Sequence, residues 1–322
     1  MATTSSRRHL LALAGAIVVA CAACAPAPPP PPAAMEDRPA KDGAAVDAAA
    51  ASSSDVHRFQ IGTLQAAMLR DGGITVPNDG STIAVGVPRA EVDALLQAAG
   101  LATDPLHLSI QGLLVRIGER VLLFDTGAGA AGWVDGGRLL QSLQAAGFEP
   151  AEVTDVFISH LHGDHVGGLV DGDGRPAFPN ATVRMTGPEW AALQAEEGQA
   201  ALAQAIAPQV EAFPPGAADI VPGVSAVAVD GHTPGHSAYL LEDGDARLVY
   251  IGDSAHHHVV SVQRPRWTIQ YDRNAPLAED SREALLARIA DESLPVASPH
   301  FPFPGVGRIE RRDGSFAWVP VP

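Results

Sequence analysis

The sequence predicts an α/β fold in four layers, with two mixed β-sheets packed face to face and helices on their outer surfaces. Short apolar segments bounded by glycine and aspartate indicate strands in each half of the chain, and amphipathic helical segments follow them. A sheet must bury a face against another layer, so two such halves favour a sandwich of two sheets. Histidines and aspartates cluster where strands are expected to end, which is where loops present functional side chains.

The first half of the folded region is predicted to begin with two strand pairs, because apolar runs flank turn residues at Asp71-Gly72-Gly73 and at Gly118-Glu119. A helix follows, with Gly147 as its stop. The remaining predicted elements of this half are a buried strand and a strand–helix unit, over residues 153–160 and 181–194.

The second half is predicted to contain further strands, a helix and a closing hairpin. Residues 224–241 and 246–254 are rich in apolar and β-branched side chains, which favours strands. Residues 281–293 have the apolar spacing of an amphipathic helix. The hairpin turns at Asp313-Gly314.

The first 24 residues are typical of a bacterial export signal. Arg7 and Arg8 precede the apolar segment LLALAGAIVVA, which is too short to span a bilayer comfortably, and SRRHLL resembles a twin-arginine signal. The segment VVAC resembles a lipobox, so we expect a lipid anchor on Cys21 or Cys24. The alternative is a signal peptidase site and a soluble periplasmic protein. Either way the protein is expected to be exported to the periplasm or envelope.

The composition of the rest of the chain predicts its division into a linker and a folded domain, and it limits the possible partners. Residues 25–55 are rich in alanine and proline and are predicted to be a disordered linker, and residues 56–322 are predicted to form the folded domain. The formal net charge of −16 argues against a nucleic-acid partner, which would require a basic surface. Because both cysteines precede residue 25, the domain has no thiolate nucleophile or metal ligand.

The segment HLHGDH, residues 160–165, predicts a metal site. On an extended segment His160 and His162 point the same way, so two neutral imidazoles can bind one cation. The chain can turn at Gly163, which directs Asp164 and His165 to a neighbouring position. More ligand-type residues follow at later strand ends, and together they fit two metal ions: His232, His236, Asp253 and His300.

The motifs HLHGDH, GHTPGHS, GDS and SPHFPFPGVG, in this order, resemble those of the metallo-β-lactamase-fold hydrolases. The resemblance runs from about Val56 to the C-terminus and implies the four-layer αββα sandwich of that family. The ending PHFPFPGVGRIERRDGSFAWVPV is similar to the branch that includes methyl parathion hydrolases and related lactonases or arylesterases.

The resemblance also implies a ligand set. One metal ion would be held by His160, His162 and His236, and the other by Asp164, His165 and His300. Asp253 and a hydroxide would bridge the two ions. Nitrogen and oxygen donors suit Zn²⁺ and also Mn²⁺, Fe²⁺ or Co²⁺.

Supporting roles follow from the same resemblance. Asp125 would orient a ligand histidine, with a turn-capping carboxylate as the alternative, and His232 would steady the loop of His236. Of the run His256–His258, at least one residue is expected beside the cleft, and we assign His257. An apolar substrate pocket could be lined by Trp190, Phe301 and Phe303, with core packing as the equal alternative.

The implied function is hydrolysis of a small-molecule ester or lactone by the bridging hydroxide, with organophosphate triesters as a side activity. Asp253 and Asp164 are the carboxylates expected to take part, and Asp253 would pass a proton to the departing alkoxide. A periplasmic β-lactamase is disfavoured, because zinc β-lactamases commonly place a cysteine where this chain has Asp253. The motifs are also compatible with a glyoxalase II-type thioesterase and, less well, with a non-catalytic metal-binding lipoprotein.

Overall fold

The structure is a computed structural model that describes residues 53–321. The first strand begins at Val56, where the folded domain was expected to start. The predicted export signal, residues 1–24, and the predicted linker up to residue 52 lie outside the described residues. Within residues 53–321 no helix combines the length and the apolar character that a membrane span requires.

The first sheet has seven strands in the described part of the chain, and they lie in the sheet in chain order. The first four strands pair antiparallel and the last three pairings are parallel. These strands are β1 (Val56–Ile61), β2 (Leu64–Val76), β3 (Leu106–Ile117), β4 (Arg120–Phe124), β5 (Asp155–Phe157), β6 (Thr182–Thr186) and β7 (Val210–Phe213).

The second sheet has six strands in the described residues, in the order β13-β12-β11-β10-β9-β8. Its only parallel pairing among these residues joins β10 to β11. The strands are β8 (Val224–Ala228), β9 (Ser237–Asp243), β10 (Ala246–Tyr250), β11 (Pro295–Ala297), β12 (Val306–Arg312) and β13 (Ser315–Pro320).

Helices cover the outer face of each sheet. The described helices are α1 (Arg89–Ala98), α2 (Leu139–Ala145), α3 (Gly163–Val166), α4 (Gly187–Ala195), α5 (Ala200–Ile206), α6 (Val260–Gln263) and α7 (Ala275–Asp291). One apolar cluster packs α2, α4 and α5 against the first sheet. A second packs α7 against the second sheet.

The alternation of side chains along the strands builds the layers. In β3 and β4, Leu113 and Leu122 face the second sheet, whereas their neighbours Leu114 and Leu123 face the outer helices. Aromatic rings fill the space between the sheets, with Phe124 and Phe157 stacked at 4.9 Å and Tyr239 against both. This confirms the predicted four-layer αββα fold.

Two local predictions differ from the structure. No turn interrupts the chain at Asp71-Gly72-Gly73, because β2 continues through a bulge there. The buried Asp71 carboxylate instead accepts hydrogen bonds from the backbone N–H groups of Ala128, Gly137 and Leu139, which fixes the glycine-rich loop after β4. Helix α7 begins six residues before the predicted Ser281, since Asn274 caps it and Pro276 occupies its first turn.

Candidate metal centre

The predicted metal-binding motifs meet where strands of both sheets end. Residues 160–165 follow β5, and the loop with His232 and His236 joins β8 to β9. Asp253 follows β10, and His300 follows β11. The fold thus brings together segments that are up to 140 residues apart in the chain.

A first donor group contains His160, His162, His232 and Asp253. The three imidazole nitrogens are mutually close: Nε2 of His160 lies 3.0 Å from Nδ1 of His162 and 3.2 Å from Nε2 of His232. The third distance, from Nδ1 of His162 to Nε2 of His232, is 3.0 Å. Nitrogens bound to one tetrahedral zinc ion lie about 3.3 Å apart, so this triangle has the dimensions of a cation site.

A second donor group contains Asp164, His165 and His300. Asp253 lies between the two groups and presents one carboxylate oxygen to each. Its Oδ2 is 3.3 Å from Nε2 of His232 and 3.4 Å from Nε2 of His160. Its Oδ1 is 3.2 Å from Nε2 of His165 and 3.0 Å from Nε2 of His300. A carboxylate in this position can bridge two cations.

The tautomers of three histidines are fixed by acceptors behind them. Nδ1 of His165 donates to Asp125 at 2.8 Å, and Nδ1 of His300 donates to the carbonyl oxygen of Ser109 at 2.7 Å. Nδ1 of His232 donates to Asp272 at 2.8 Å. Since carboxylates and carbonyls only accept, the neutral form of each imidazole carries its lone pair on Nε2, toward the centre.

Two buried atoms test whether cations fit this site. Nε2 of His165 and Oδ1 of Asp253 have no hydrogen-bond partner among the described residues. A buried polar atom without a partner costs about 1–3 kcal/mol, whereas a cation between them would satisfy both. The all-nitrogen and oxygen donor set matches Zn²⁺ and other first-row divalent ions. The residues therefore fit two divalent metal ions.

The environment of the centre shifts the pKa values of its histidines and of Asp253. Burial, and then the neighbouring His165, hold the pKa of His160 well below its usual value, which favours the neutral ring with a lone pair on one of its two nitrogens. Burial alone would raise the pKa of Asp253, but the surrounding His165, His300 and His256 outweigh it and hold that pKa well below its usual value. Burial alone would lower the pKa of His165, His232 and His300, but the neighbouring carboxylates, Asp253 above all, outweigh it and raise that pKa in the metal-free protein. Because neutral imidazole and ionised carboxylate are the metal-binding forms, bound cations would displace these protons.

Asp125 has the orienting position that the sequence suggested. Besides the bond from His165, its carboxylate accepts hydrogen bonds from Ser159 N and Oγ, both at 2.7 Å, and from the Tyr250 hydroxyl at 3.0 Å. Tyr250 belongs to the second sheet and Asp125 follows the first. This one carboxylate therefore ties both sheets to a single histidine of the second donor group.

The assignment of His236 as a metal ligand is wrong, and His232 takes its place. Nε2 of His236 accepts a hydrogen bond from the backbone N–H of Asp253 at 3.0 Å, and Nδ1 donates to the carbonyl of Val229 at 3.1 Å. Both nitrogens are thus occupied in fixing the backbone. Gly252 allows this contact, since it has φ of 50° and a β-carbon there would lie 2.7 Å from Nε2 of His236.

Matched glutamine substitutions distinguish the two histidines. We expect His232→Gln to weaken the first metal site at least about 100-fold, because a strong nitrogen donor is lost. We expect His236→Gln to retain two metal ions, since an amide can still accept from one backbone group and donate to the other. Zinc content after dialysis against a weak chelator measures this, and the opposite pattern would restore His236 as the ligand.

The predicted pocket residues do not lie beside the donor groups. Phe301 is fully buried in the core behind the second sheet, 4.9 Å from the ring of Trp318. Trp190 packs on the cluster under the outer helices, and Phe303 packs against the core between the sheets. His257 is buried and caps α6, because its Nδ1 accepts from the N–H groups of Val259 and Val260. All four therefore have packing or capping contacts, and a pocket role for them stays a prediction.

Three other residues border the centre instead. Nε2 of His256 lies 3.1 Å from Oδ2 of Asp253. Tyr271 is 42% exposed, and its ring lies 6.4 Å from that of His162. Trp133 is 51% exposed and packs over the turn at Gly163, where a β-carbon would approach its ring to 3.3 Å. Of these three residues, only His256 was indicated by the sequence, because it belongs to the run of three histidines.

Glu189 joins the two loops that carry the first donor group. It is fully buried on α4, and one oxygen accepts from the N–H of Leu161 at 2.7 Å. The other accepts from the N–H of Gly235 at 2.7 Å and from the Thr233 hydroxyl at 2.9 Å. The loop of His160 and the loop of His232 therefore share one carboxylate, which sets their separation.

Comparison with known proteins connects this geometry to a family. A model of the metallo-beta-lactamase superfamily matches residues 109–300. N-acyl homoserine lactonases from Bacillus sp and Bacillus cereus are 34% and 31% identical to the chain over 106 and 115 residues, which is 33% and 35% of this chain. The chain spans about two fifths of the length of these two relatives, 39% and 43%.

Two solved structures are similar over most of the described domain. AidC, a dizinc quorum-quenching lactonase in complex with a product, N-hexanoyl-L-homoserine, has 29% identity and a TM-score of 0.77, with 84% of this chain and 98% of AidC covered. The hydrolase AbOPH of the beta-lactamase superfamily has 31% identity and a TM-score of 0.76, with 83% of this chain and 98% of AbOPH covered. With its four layers and paired donor groups, the chain belongs to the metallo-beta-lactamase superfamily and is similar to its lactonase-like branch.

Proposed function

We propose that the protein is a binuclear metal-dependent hydrolase that opens lactones and cleaves carboxylic esters. The observation that carries this proposal is the position of Asp253, whose two oxygens face two separate donor groups. A non-catalytic metal-binding protein would have no need of a shared carboxylate between two adjacent groups. Similarity to N-acyl homoserine lactonases and to a dizinc lactonase supports lactones as the substrate class.

The proposed cofactors are two divalent ions, with Zn²⁺ as the first choice. The first would be held by His160, His162 and His232, the second by Asp164, His165 and His300, with Asp253 shared. Two such ions supply hydroxide from water near neutral pH and polarise the carbonyl or phosphoryl oxygen of a substrate. No serine or cysteine nucleophile is needed for this chemistry.

The chain itself supplies orientation, a proton acceptor and a boundary to the site. Hydrogen-bond acceptors behind the rings of His165, His232 and His300 hold these rings in place. The rings therefore need not reorient when a substrate reacts. Asp164 and Asp253 are the carboxylates at the reacting centre, and we assign to Asp253 the transfer of a proton to the departing alkoxide. Tyr271 and Trp133 border the metal centre and expose aromatic surface there. This surface suits an apolar substituent on the substrate.

A substrate panel with defined metal content tests the proposal. The zinc-loaded domain should hydrolyse an acyl homoserine lactone and an aryl ester, and a chelator should abolish both activities until zinc is returned. Slower turnover of paraoxon would support the proposed organophosphate side activity. Two bound metal ions with no turnover of any of these substrates would refute the proposed function, and efficient turnover of nitrocefin would reassign the protein as a β-lactamase.

Export, and a lipid anchor on Cys21 or Cys24, stay proposals that rest on the N-terminal sequence. These cysteines lie outside the described residues. An exported lactonase would meet its substrate outside the cytoplasm.

A further inference from the structure

A second cleft, apart from the metal centre, opens on the outer face of the first sheet beside the C-terminal end of α2. Its volume is about 430 Å³, within the range of small-molecule pockets. No residue that lines it belongs to either donor group. The lining residues that matter most here are Arg58, Gln65, Ala67, Leu114, Arg116 and Phe148.

The register of three strands gives the cleft an apolar floor. Arg58, Ala67 and Leu114 are paired across β1, β2 and β3. They share the outer face of the sheet, because side chains alternate along each strand and Ala67 and Leu114 pack toward the outer helices. The small Ala67 between two longer side chains leaves a depression, and the half-buried Phe148, just after α2, lines the cleft as well.

The next row of paired side chains is polar. Gln60, Gln65 and Arg116 are paired across the same three strands, two residues along from the first row. Arg116 is also paired with Val121 at the start of β4, whereas the HLHGDH motif follows the end of β5, which runs parallel to β4. This row therefore lies at the end of the sheet that points away from the metal centre.

Arg58 and Arg116 carry the only charges among the described residues that line the cleft. Nη2 of Arg58 donates to the carbonyl of Ala145 at 3.0 Å, and Nε of Arg116 donates to that of Gly118 at 3.2 Å. A guanidinium group has five N–H donors, so each arginine keeps most of its donors for another partner.

These two arginines are unusual in this chain because neither forms an ion pair with a described residue. Most arginines within residues 53–321 do pair with a carboxylate. Glu149 follows Phe148 directly, but its carboxylate accepts from Nε2 of Gln144 at 3.1 Å and caps the turn after it. With a formal net charge of −16, the chain repels anions in general, and a cleft lined by cations alone is an exception.

We propose that this cleft is a binding site for an amphipathic carboxylate, whose head group pairs with Arg58 and Arg116 and whose apolar chain covers Ala67 and Leu114. The planar fork of a guanidinium group matches the two oxygens of a carboxylate. The register places the Cα atoms of the two arginines roughly 12 Å apart, a gap that two long side chains can close from both sides. This inference goes beyond the proposed function, because the cleft shares no residue with the metal centre.

Calorimetric titration of octanoate into the zinc-loaded protein tests the site. Octanoate carries both the charged head and the apolar chain, whereas acetate and inorganic phosphate have only a charge and 1-octanol has only the chain. We expect octanoate to bind at least about tenfold more tightly than each of the other three, since every buried CH₂ group and every charge-assisted hydrogen bond adds to the affinity.

Glutamine substitutions identify the cations that hold the head group. We expect Arg58→Gln and Arg116→Gln each to weaken octanoate binding by about tenfold or more, because each removes a charged donor. Arg308→Gln is the matched control, since Arg308 is also exposed and forms no ion pair with a described residue, but lies on β12 in the second sheet. It should bind octanoate within about twofold of the wild type. Because all three arginines are exposed, thermal unfolding of the variants should match that of the wild type.

The titration is repeated after removal of the metal with a chelator, because a carboxylate can also bind zinc. Octanoate binding should persist in the metal-free protein. A wild type that binds no octanoate, equal binding by the wild type and both cleft variants, or binding that disappears with the metal would each overturn the proposal. Phosphate binding as tight as that of octanoate would overturn it too, since the apolar floor would then contribute nothing. Failure of lactone hydrolysis would refute the proposed function and leave this site standing.

Discussion

Replacement of Asp253 by asparagine is expected to reduce lactone and ester hydrolysis by at least about 10²–10³-fold, the scale for losing one charge-stabilising group at a reacting centre. In the wild type, one oxygen faces His232 and the other faces His300, at 3.3 and 3.0 Å. An amide keeps an acceptor oxygen for one group only. Its NH₂ would point donor hydrogens at the other cation, and it cannot carry a proton to the leaving group.

Metal analysis and kinetics on the same Asp253→Asn preparation measure this effect. We expect one metal ion to be weakened more than the other, because the amide oxygen can serve one donor group. Asp230→Asn is a suitable control, since Asp230 is exposed and lies two residues before His232. Near-normal turnover in Asp253→Asn with two ions bound would contradict both the bridging and the proton-transfer role.

Much of this site could be predicted from the sequence because its ligands come in short, dense patterns. HLHGDH places four donor residues within six positions, and a turn at Gly163 is enough to divide them between the two donor groups. Asp253 and His300 could be found because each follows an apolar strand. The physical requirement that loops present ligands at strand ends therefore fixed their approximate place.

The choice between His232 and His236 could not be made from the same pattern. Both lie in GHTPGHS, four residues apart, and both are buried. The decision depends on where β9 begins. Because β9 starts at Ser237, His236 lies at the end of the β8–β9 pair. There both of its nitrogens form hydrogen bonds, one with the carbonyl of Val229 and the other with the N–H of Asp253. The spacing of residues within the motif does not indicate partners of this kind, because they are set by the tertiary fold.

The aromatic residues illustrate a different limit. Phe301 directly follows His300, yet its side chain enters the core, whereas Nε2 of His300 lies 3.0 Å from Oδ1 of Asp253 in the donor centre. Trp133 and Tyr271, which do border the centre, lie in irregular loops without periodicity. An aromatic residue in a core and one in a substrate pocket have the same local sequence character, so tertiary packing alone separates them.

The sequence patterns did not identify Asp272 as part of the site. Disruption of its buried ion pair with Arg282 is expected to have the largest effect on stability. Asp272 and Arg282 are buried at 8% and 1% exposure, and Nη2 of Arg282 donates to Oδ2 of Asp272 at 2.7 Å. Burial alone would raise the pKa of Asp272, but the hydrogen bond from His232 and the charge of Arg282 hold it below its usual value. The ion pair thus keeps a carboxylate behind His232.

Arg282→Met is therefore expected to lower the free energy of unfolding of the metal-free protein by about 3–5 kcal/mol, because it leaves a buried carboxylate without its cation. It also removes the donors to the carbonyls of Ser254 and Pro265. The matched control is Arg288→Met on the same helix, whose ion pair with Glu292 is exposed. That pair should contribute about 0–1 kcal/mol.

The double variant Asp272→Leu, Arg282→Met separates stability from metal binding. Replacing both charges by apolar side chains should recover most of the lost stability. It should not recover the first metal site, since Nδ1 of His232 would still lack its acceptor and zinc affinity there should remain about 10–100-fold weaker. Urea unfolding and calorimetric zinc titration measure the two effects. If Arg282→Met were as stable as Arg288→Met, the buried ion pair would not stabilise the fold as expected.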